Sequence, residues 1–125
     1  MPITRVLYFQ DRDGKAPVRD WLLELKAQDV EAFAKCAARV GLLQASGHEL
    51  RRPIADILTE GIYELRASKG RVNYRILYFF HGRNVAILAN ACTKEGEVPT
   101  VEIATALERK IAFLADPEKH TYTEK

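Results

Sequence analysis

The segment from residue 62 to residue 92 constrains the fold of this chain most, because three strand-like runs follow one another with only short turns between them. Branched and aromatic residues dominate residues 62–66, 72–80 and 85–92. A turn around Gly70 joins the first two runs and a turn around Gly82 joins the last two, and glycine is typical of hairpin loops. The segment therefore predicts three consecutive antiparallel strands.

Two helices are predicted ahead of these strands, after a first strand at residues 3–10. Pro17 suits the first turn of one helix, and the apolar residues that follow recur at helical spacing. Asp29 is the expected N-cap of a second helix, which ends by Gly47. So short a connection predicts an αα-hairpin. Pro53 breaks the segment of residues 48–60, and within it residues 55–58 leave a short strand or a turn as alternatives.

The end of the chain predicts a third helix, which opens at Pro99. Four apolar residues have the spacing of its buried stripe: Ile103, Leu107, Ile111 and Leu114. The resulting order is β-α-α-β-β-β-α. It describes an α+β domain in which a small, mostly antiparallel sheet packs against an N-terminal αα-hairpin and a C-terminal helix completes the fold.

The length and composition indicate one globular domain. A chain of 125 residues with 47% hydrophobic residues can bury a core of its own. We expect this domain to span residues 1–115 and the polar residues 116–125 to form a loosely ordered tail. The sequence has no apolar run of membrane-spanning length and no signal-peptide pattern, so we expect a cytoplasmic protein in which Cys36 and Cys92 are buried thiols.

Positive charge is concentrated in the strand region. Residues 65–94 contain six cations and no Asp or Glu, although the net charge of the whole chain is only +2. A sheet that presents cations without carboxylates suits a polyanion. Strand alternation gathers several polar side chains at one end of the face opposite the αα-hairpin: Arg66, Asn73, Arg75, Asn90 and Lys94. The same alternation in the last strand predicts one apolar set, formed by Val85, Ile87, Ala89 and Ala91. Solubility alone is the alternative explanation of this pattern.

Residues 61–66 (GIYELR) and 74–80 (YRILYFF) resemble the RelE/ParE superfamily of toxins, and in particular its phage-derived HigB-like branch. Lys94 and Pro99, followed by Glu102-Ile103-Ala104 with Ala106 and Arg109, resemble the closing motif of that branch. The resemblance covers most of the chain from Tyr8 onward. It implies a RelE-like fold with a curved sheet.

The same resemblance implies a metal-independent endoribonuclease that cuts mRNA in the ribosomal decoding site and is inhibited by a helix-turn-helix antitoxin. Arg66 and Arg75 match the strand arginines of the family and Lys94 a basic residue of its closing loop, so these three are the catalytic candidates. Guanidinium groups suit this role because each can donate two hydrogen bonds to phosphate oxygens. The RNA-binding candidates are His48, Arg51, Arg52, Lys69, Arg71, Asn73 and Asn90. No metal-ligand spacing and no phosphate-binding glycine loop occur, so no metal or cofactor is expected.

Some residues depart from the family pattern and leave alternatives open. Glu95 and Glu97 stand in the closing loop, where the family usually carries lysines. A salt bridge to Glu64 is the alternative for Arg75, and solvated loops are the alternatives for Lys94 and for residues 48–52. For the protein as a whole, the alternatives are a non-catalytic or gyrase-inhibiting member that acts through protein contacts, and an RNA-binding domain without toxicity.

Overall fold

The computed structural model describes residues 3–93 and 97–123 of the chain. It confirms an α+β architecture of three helices and one sheet. In chain order the elements are β1 (Arg5–Tyr8), α1 (Pro17–Gln28), α2 (Val30–Ser46), a short 3₁₀ helix (Gly47–Glu49), β2 (Ala55–Thr59), β3 (Ile62–Lys69), β4 (Val72–Phe80), β5 (Val85–Thr93) and α3 (Thr100–Ala115).

The sheet has five strands in the spatial order β1-β5-β4-β3-β2, and it is mixed because β1 runs parallel to β5 while the other pairs are antiparallel. The predicted order lacked β2 and is corrected here. Pro53, which has no N–H group to donate, precedes this strand without interrupting it. Glu60 and Gly61 then form the tight turn into β3, both with positive φ (45° and 79°), as a two-residue hairpin of this kind requires.

The two N-terminal helices begin and end where their sequence signals predict. The Asp29 side chain accepts a hydrogen bond from the backbone N–H of Ala32 (3.1 Å), which makes Asp29 the N-cap of α2. Gly47 follows the last residue of α2. Within the described ranges no helix is both long and apolar enough to cross a membrane.

The sheet separates two cores. The αα-hairpin covers one side, where Leu22, Cys36 and Leu43 pack against Leu65 and Ile76. Helix α3 covers the other side, where Ala106 and Phe113 pack against Leu77, Phe79 and Ile87. Strand alternation sorts the side chains of β3 and β4 between the two sides. We call these the hairpin side and the α3 side of the sheet.

A β-bulge at Ala89 interrupts the alternation of β5. Leu77 of β4 pairs with Asn90 and Tyr78 pairs with Leu88, so Ala89 has no partner of its own in β4. The prediction that Ala91 shares a face with Ala89 is therefore wrong, because the extra residue turns Ala91 to the hairpin side. The carbonyl oxygen of Ala89 accepts a hydrogen bond from Nη1 of Arg109 on α3 (2.9 Å).

Helix α3 buries a different stripe from the one predicted. Ile103 and Leu107 pack on the sheet as expected, but Ile111 and Leu114 are 69% and 51% exposed. The buried positions are Ala106 and Phe113, two helical turns apart. The large ring of Phe113 packs edge-on against Phe79 and takes the place predicted for the aliphatic residues.

In the polar segment after α3, for which the sequence predicts a loosely ordered tail, residues 120–122 lie against β1 and the residue that follows it. Phe9 pairs with Thr121, and the N–H of Tyr122 donates to the carbonyl oxygen of Tyr8 (2.9 Å). The ring of His120 also stacks on Phe9. β1 is an edge strand, and this segment supplies a partner for one of its outer backbone groups, the carbonyl oxygen of Tyr8.

Both cysteines are buried and neither forms a disulfide, as predicted. Burial raises the pKa of the Cys36 thiol to about 11, because the thiolate would be poorly solvated inside the hairpin-side core. Cys36 therefore stays protonated and behaves as a small apolar residue of that core.

Candidate functional site

Arg66 and Arg75, two of the predicted catalytic residues, lie directly opposite each other on β3 and β4. Both are on the α3 side of the sheet. They line an open cleft of about 290 Å³, together with Asn73 and with Arg39 from α2. We call it the arginine cleft. The structure thus brings together two predicted catalytic residues and one predicted RNA-binding residue.

Glu64 lies at the base of this arrangement and is only 1% exposed. Its position two residues before Arg66 puts both side chains on the same side of β3. Nη1 of Arg75 donates to both carboxylate oxygens at 3.1 Å, and Nε of Arg66 donates to Oε1. The salt bridge between Arg75 and Glu64, left open as an alternative, is therefore present.

The inference that the cations lack carboxylate partners is wrong for Arg66, Lys69 and Arg75. The acid-free segment is continuous in sequence, but neighbouring elements supply acids in space. Asp56 on β2 approaches Nη2 of Arg66 at 3.4 Å, and Asp29 contacts Lys69. The cleft keeps a positive excess, because three guanidinium groups line it, those of Arg39, Arg66 and Arg75. Two carboxylates contact this group, Glu64 through both Arg66 and Arg75 and Asp56 through Arg66.

The two central arginines differ in accessibility. The Arg66 side chain is 35% exposed and that of Arg75 is 14% exposed. Ion pairs to the buried Glu64 hold both guanidinium groups in place. An anion that enters the cleft would therefore meet donors that are already oriented, which lowers the entropy cost of binding.

Lys69, a predicted RNA-binding residue, lies on the hairpin side and not in the arginine cleft. Its Nζ donates to both carboxylate oxygens of Asp29, at 2.8 and 2.9 Å, where α1 meets α2. This hydrogen bond is the main cause that lowers the pKa of Asp29 and raises that of Lys69. The contact attaches the end of β3 to the helical hairpin.

Asp29→Asn is expected to destabilise the protein at neutral pH, with a difference from the wild type that disappears in acid. Because the pKa of Asp29 in the folded state lies below its usual 3.8, the carboxylate stabilises the fold above that pH and loses its effect as the pH falls through the lowered pKa. Asparagine keeps the N-cap acceptor, so the variant reports the lost charge. Thermal unfolding of the wild type, Asp29→Asn and the exposed control Asp20→Asn at neutral and strongly acidic pH checks this. An equal difference in melting temperature between the wild type and Asp29→Asn at both pH values would contradict it.

Asn90 is 4% exposed and lies beneath the first turn of α3. Its Nδ2 donates to the backbone oxygen of Glu102 (3.0 Å) and to Oε1 of the same residue (2.9 Å). Asn90, a predicted RNA-binding residue, is therefore covered by α3 and does not line the arginine cleft. Its Oδ1 has no hydrogen-bond partner in the part of the chain that the structure describes.

The other predicted residues fall into three groups. Arg71 is exposed in the Gly70-Arg71 turn that joins β3 to β4. Lys94 and the departing residue Glu95 lie outside the described residues. His48, Arg51 and Arg52 line a second cavity, of about 610 Å³, between the loop after α2 and the β2–β3 hairpin. We call this the loop cavity.

Asp56 connects the two cavities. It lines the loop cavity, and its Oδ2 accepts a hydrogen bond from Nε of Arg52 (2.8 Å). Nη2 of Arg52 forms an ion pair with the same oxygen at 2.7 Å. Arg66 of the arginine cleft contacts the same oxygen. The pKa of Asp56 is lowered chiefly by the hydrogen bond from Arg52, so its carboxylate stays ionised between the two arginines.

The sequence reasoning missed Arg39, Asp56 and Tyr63 as residues of these sites. A signal for Arg39 was available, because it lies three residues after the buried Cys36 and four before the buried Leu43, on the same face of α2. Tyr63 lines the loop cavity. Alternation along β3 predicts that Tyr63 lies on the same side of the sheet as Leu65. Asp56 could be assigned to the site only once the pairing of β2 with β3 was known.

The family model described as Phage derived protein Gp49-like (DUF891) matches residues 23–110 of the chain. The match runs from α1 to α3 and includes the residues that line the arginine cleft and the loop cavity. A comparison with curated proteins finds no match.

Proposed function

Because the chain belongs to the Gp49-like family of phage-derived proteins, a RelE-like toxin family of toxin–antitoxin systems, we propose that it is a toxin that cleaves mRNA. RelE-type toxins, with which this family is associated, are endoribonucleases. The proposed substrate is mRNA bound to the ribosome, and the proposed inhibitor is a helix-turn-helix antitoxin. A RelE-like fold and a place in the HigB-like branch are part of the same proposal.

The observation that carries this proposal is the pair of opposed arginines, Arg66 and Arg75, in one open cleft. In the proposed reaction the 2′-hydroxyl of the RNA attacks the adjacent phosphorus, the 5′-oxygen of the next nucleotide leaves, and a 2′,3′-cyclic phosphate remains. Negative charge grows on the phosphoryl oxygens during this step. Two oriented guanidinium groups stabilise that charge more than they stabilise the ground state.

The two arginines are proposed to grip the scissile phosphate. Arg66 is the more exposed of the two and would meet the RNA first, while Arg75 is held by Glu64 beneath it. Lys94 is proposed to assist at the leaving oxygen or to act as a base, and a cluster of cations favours the neutral amine that a base requires. Asn73 and Arg39 would extend the contact to neighbouring phosphates.

Arg66→Lys and Arg75→Lys are each expected to lower cleavage by about a hundredfold, because lysine keeps the positive charge but loses the two-pronged donor. Lysine also leaves Glu64 with a cationic partner, so the fold is expected to persist. The test is expression in a translating extract with the mRNA ends mapped by primer extension. New ends within translated codons are expected for the wild type.

Arg83→Lys is the matched control, because Arg83 is an exposed arginine in the turn between β4 and β5. It is expected to cleave like the wild type. The double variant Arg66→Ala/Arg75→Ala should yield intact mRNA while folding is checked separately. Intact mRNA with folded wild-type protein, or undiminished cleavage by the double variant, would contradict the proposed nuclease.

The second candidate is a non-catalytic or gyrase-inhibiting protein that acts through protein contacts. The ion pairs of Arg66 and Arg75 with Glu64 favour it, because such pairs can serve the fold alone. Growth arrest of a host that persists with both lysine variants would support this candidate. Loss of growth arrest together with loss of cleavage would support the nuclease.

A further inference from the structure

The loop cavity is the larger of the two basic cavities described above, with a volume of about 610 Å³. That volume lies within the range of about 300–1,000 Å³ that is usual for small-molecule sites. Its walls combine apolar, aromatic and cationic side chains, among them Leu50, Ile57, Tyr63 and Arg51. Such a mixture is typical of a site for a flat, partly apolar ligand that carries negative charge.

Two aromatic rings of the cavity wall are held by rings behind them. Tyr63 is half-buried and stacks on the buried Tyr78, with ring centroids 5.4 Å apart and planes inclined by 20°. His48 stacks on Phe80, with centroids 3.6 Å apart. Rings that are packed in this way lose little further freedom when a nucleobase stacks on them.

The cations of the cavity lie at its rim. Nη1 of Arg51 donates to the carbonyl oxygens of His48 and Leu50, which anchors this guanidinium group to the loop. The Arg52 side chain is 74% exposed. Asp56 is the only acid among the described residues that line this cavity, and Arg52 and Arg66 already bind it, so the rim attracts anions.

The cavity and the arginine cleft are adjacent. Arg52 at the rim and Arg66 in the cleft contact the same oxygen of Asp56, at 2.7 and 3.4 Å. One extended strand can therefore contact both guanidinium groups. A phosphate at Arg66 would have its neighbour near Arg52, at the entrance of the loop cavity.

We propose that the loop cavity holds one unstacked nucleobase of the RNA strand, packed on Tyr63 and His48, with the adjoining phosphate bound by Arg51 and Arg52. The inference rests on the proposed function, since it concerns the strand whose scissile phosphate lies in the arginine cleft. Every nucleobase has a flat apolar face, so this contact adds affinity for single-stranded RNA without selecting one base.

The test measures binding separately from cleavage. The probe is a short single-stranded RNA with 2′-O-methyl groups, which lacks the nucleophile of the proposed reaction and stays intact. Tyr63→Leu is expected to weaken its binding about tenfold to a hundredfold, the usual effect of losing one aromatic stacking partner. Tyr122→Leu is the matched control, because Tyr122 is a half-buried tyrosine that contacts Tyr8 on the far edge of the sheet. Fluorescence anisotropy gives both affinities.

NMR titration of the wild type with the same RNA tests the base site without a variant, so it applies even if Tyr63→Leu does not fold. The ring protons of His48 and Tyr63 are expected to shift as RNA is added. Unchanged ring signals, undetectable binding, or equal affinities of Tyr63→Leu and Tyr122→Leu would overturn the proposal.

The outcomes also separate this inference from the proposed function. Cleavage that depends on Arg66 and Arg75, with RNA affinity unaffected by Tyr63→Leu, overturns the base site alone. RNA binding that shifts the rings of His48 and Tyr63, without any cleavage of mRNA, supports the base site and overturns the nuclease.

Discussion

Glu64→Ala is expected to lower the free energy of unfolding by about 3–5 kcal/mol, the usual cost of removing one partner from a buried ion pair. Glu64 is 1% exposed and contacts both Arg66 and Arg75. Without it, two guanidinium groups would face each other on paired strands with no carboxylate between them, and like charges directly opposite each other destabilise a sheet. Arg75 would lose the most, because its side chain is only 14% exposed and water cannot replace the lost partner fully.

Urea unfolding followed by circular dichroism measures this effect. Glu49→Ala is the matched control, because Glu49 is an exposed glutamate of the 3₁₀ helix, and its replacement is expected to change stability by less than about 0.5 kcal/mol. Equal stability of Glu64→Ala and the wild type would show that the arginines do not need this carboxylate. Added sulfate is expected to raise the midpoint of Glu64→Ala more than that of the wild type, because an anion can then bind the vacated donors.

Gly47→Ala is expected to lower the free energy of unfolding by about 3 kcal/mol, through backbone strain and overpacking acting together. Gly47 ends α2 with φ 52° and ψ −124°, a conformation that side chains other than glycine rarely adopt. A Cβ atom at this position would overlap Oγ1 of Thr4, and both residues are buried. The backbone N–H of Thr4 donates to the carbonyl oxygen of Gln44, so Thr4 cannot easily move away.

Gly41→Ala, in the interior of α2, supplies the matched control. A Cβ at Gly41 meets no atom within 4 Å, and alanine in a helix interior is expected to raise stability by about 0.5–1 kcal/mol. Thermal unfolding should therefore give changes of opposite sign for the two variants. The double variant Gly47→Ala/Thr4→Ala separates the clash from the backbone strain, because it removes only the clash. A harmless Gly47→Ala substitution would contradict the strain and the clash alike.

Local signals predicted much of this fold. Pro17, Asp29 and Gly47 are cap signals that depend on the first and last turns of a helix, and they marked the αα-hairpin correctly. The three strands of residues 62–92 followed from side-chain alternation. β2 was predicted only as one of two alternatives, a short strand or a turn, because it has five residues and its pairing depends on the hairpin with β3 and on no strong pattern of its own.

The charges of the candidate site were harder to predict than its residues. Arg66 and Arg75 were identified from the sequence, and alternation placed them on one face. Glu64 immediately precedes the acid-free segment, so a count of charges along the chain leaves it out. Strand pairing puts it beside both arginines, and the sequence offered this salt bridge only as an alternative, and only for Arg75. Asp56 lies ten residues before Arg66 and reaches it only through the pairing of β2 with β3.

The bulge at Ala89 gives β5 two phases. Before the bulge, the even-numbered residues Ala86 and Leu88 face the hairpin side. After it, the odd-numbered Ala91 faces that side, so the bulge exchanges which residues of β5 face each core. An unbroken strand would turn Asn90 toward the hairpin and present a methyl group to the first turn of α3. The carbonyl oxygen of Ala89, the bulged residue, accepts a hydrogen bond from Arg109 on α3. Burial lowers the pKa of Arg109. A cationic side chain of α3 therefore stabilises the bulge that joins the two halves of the strand.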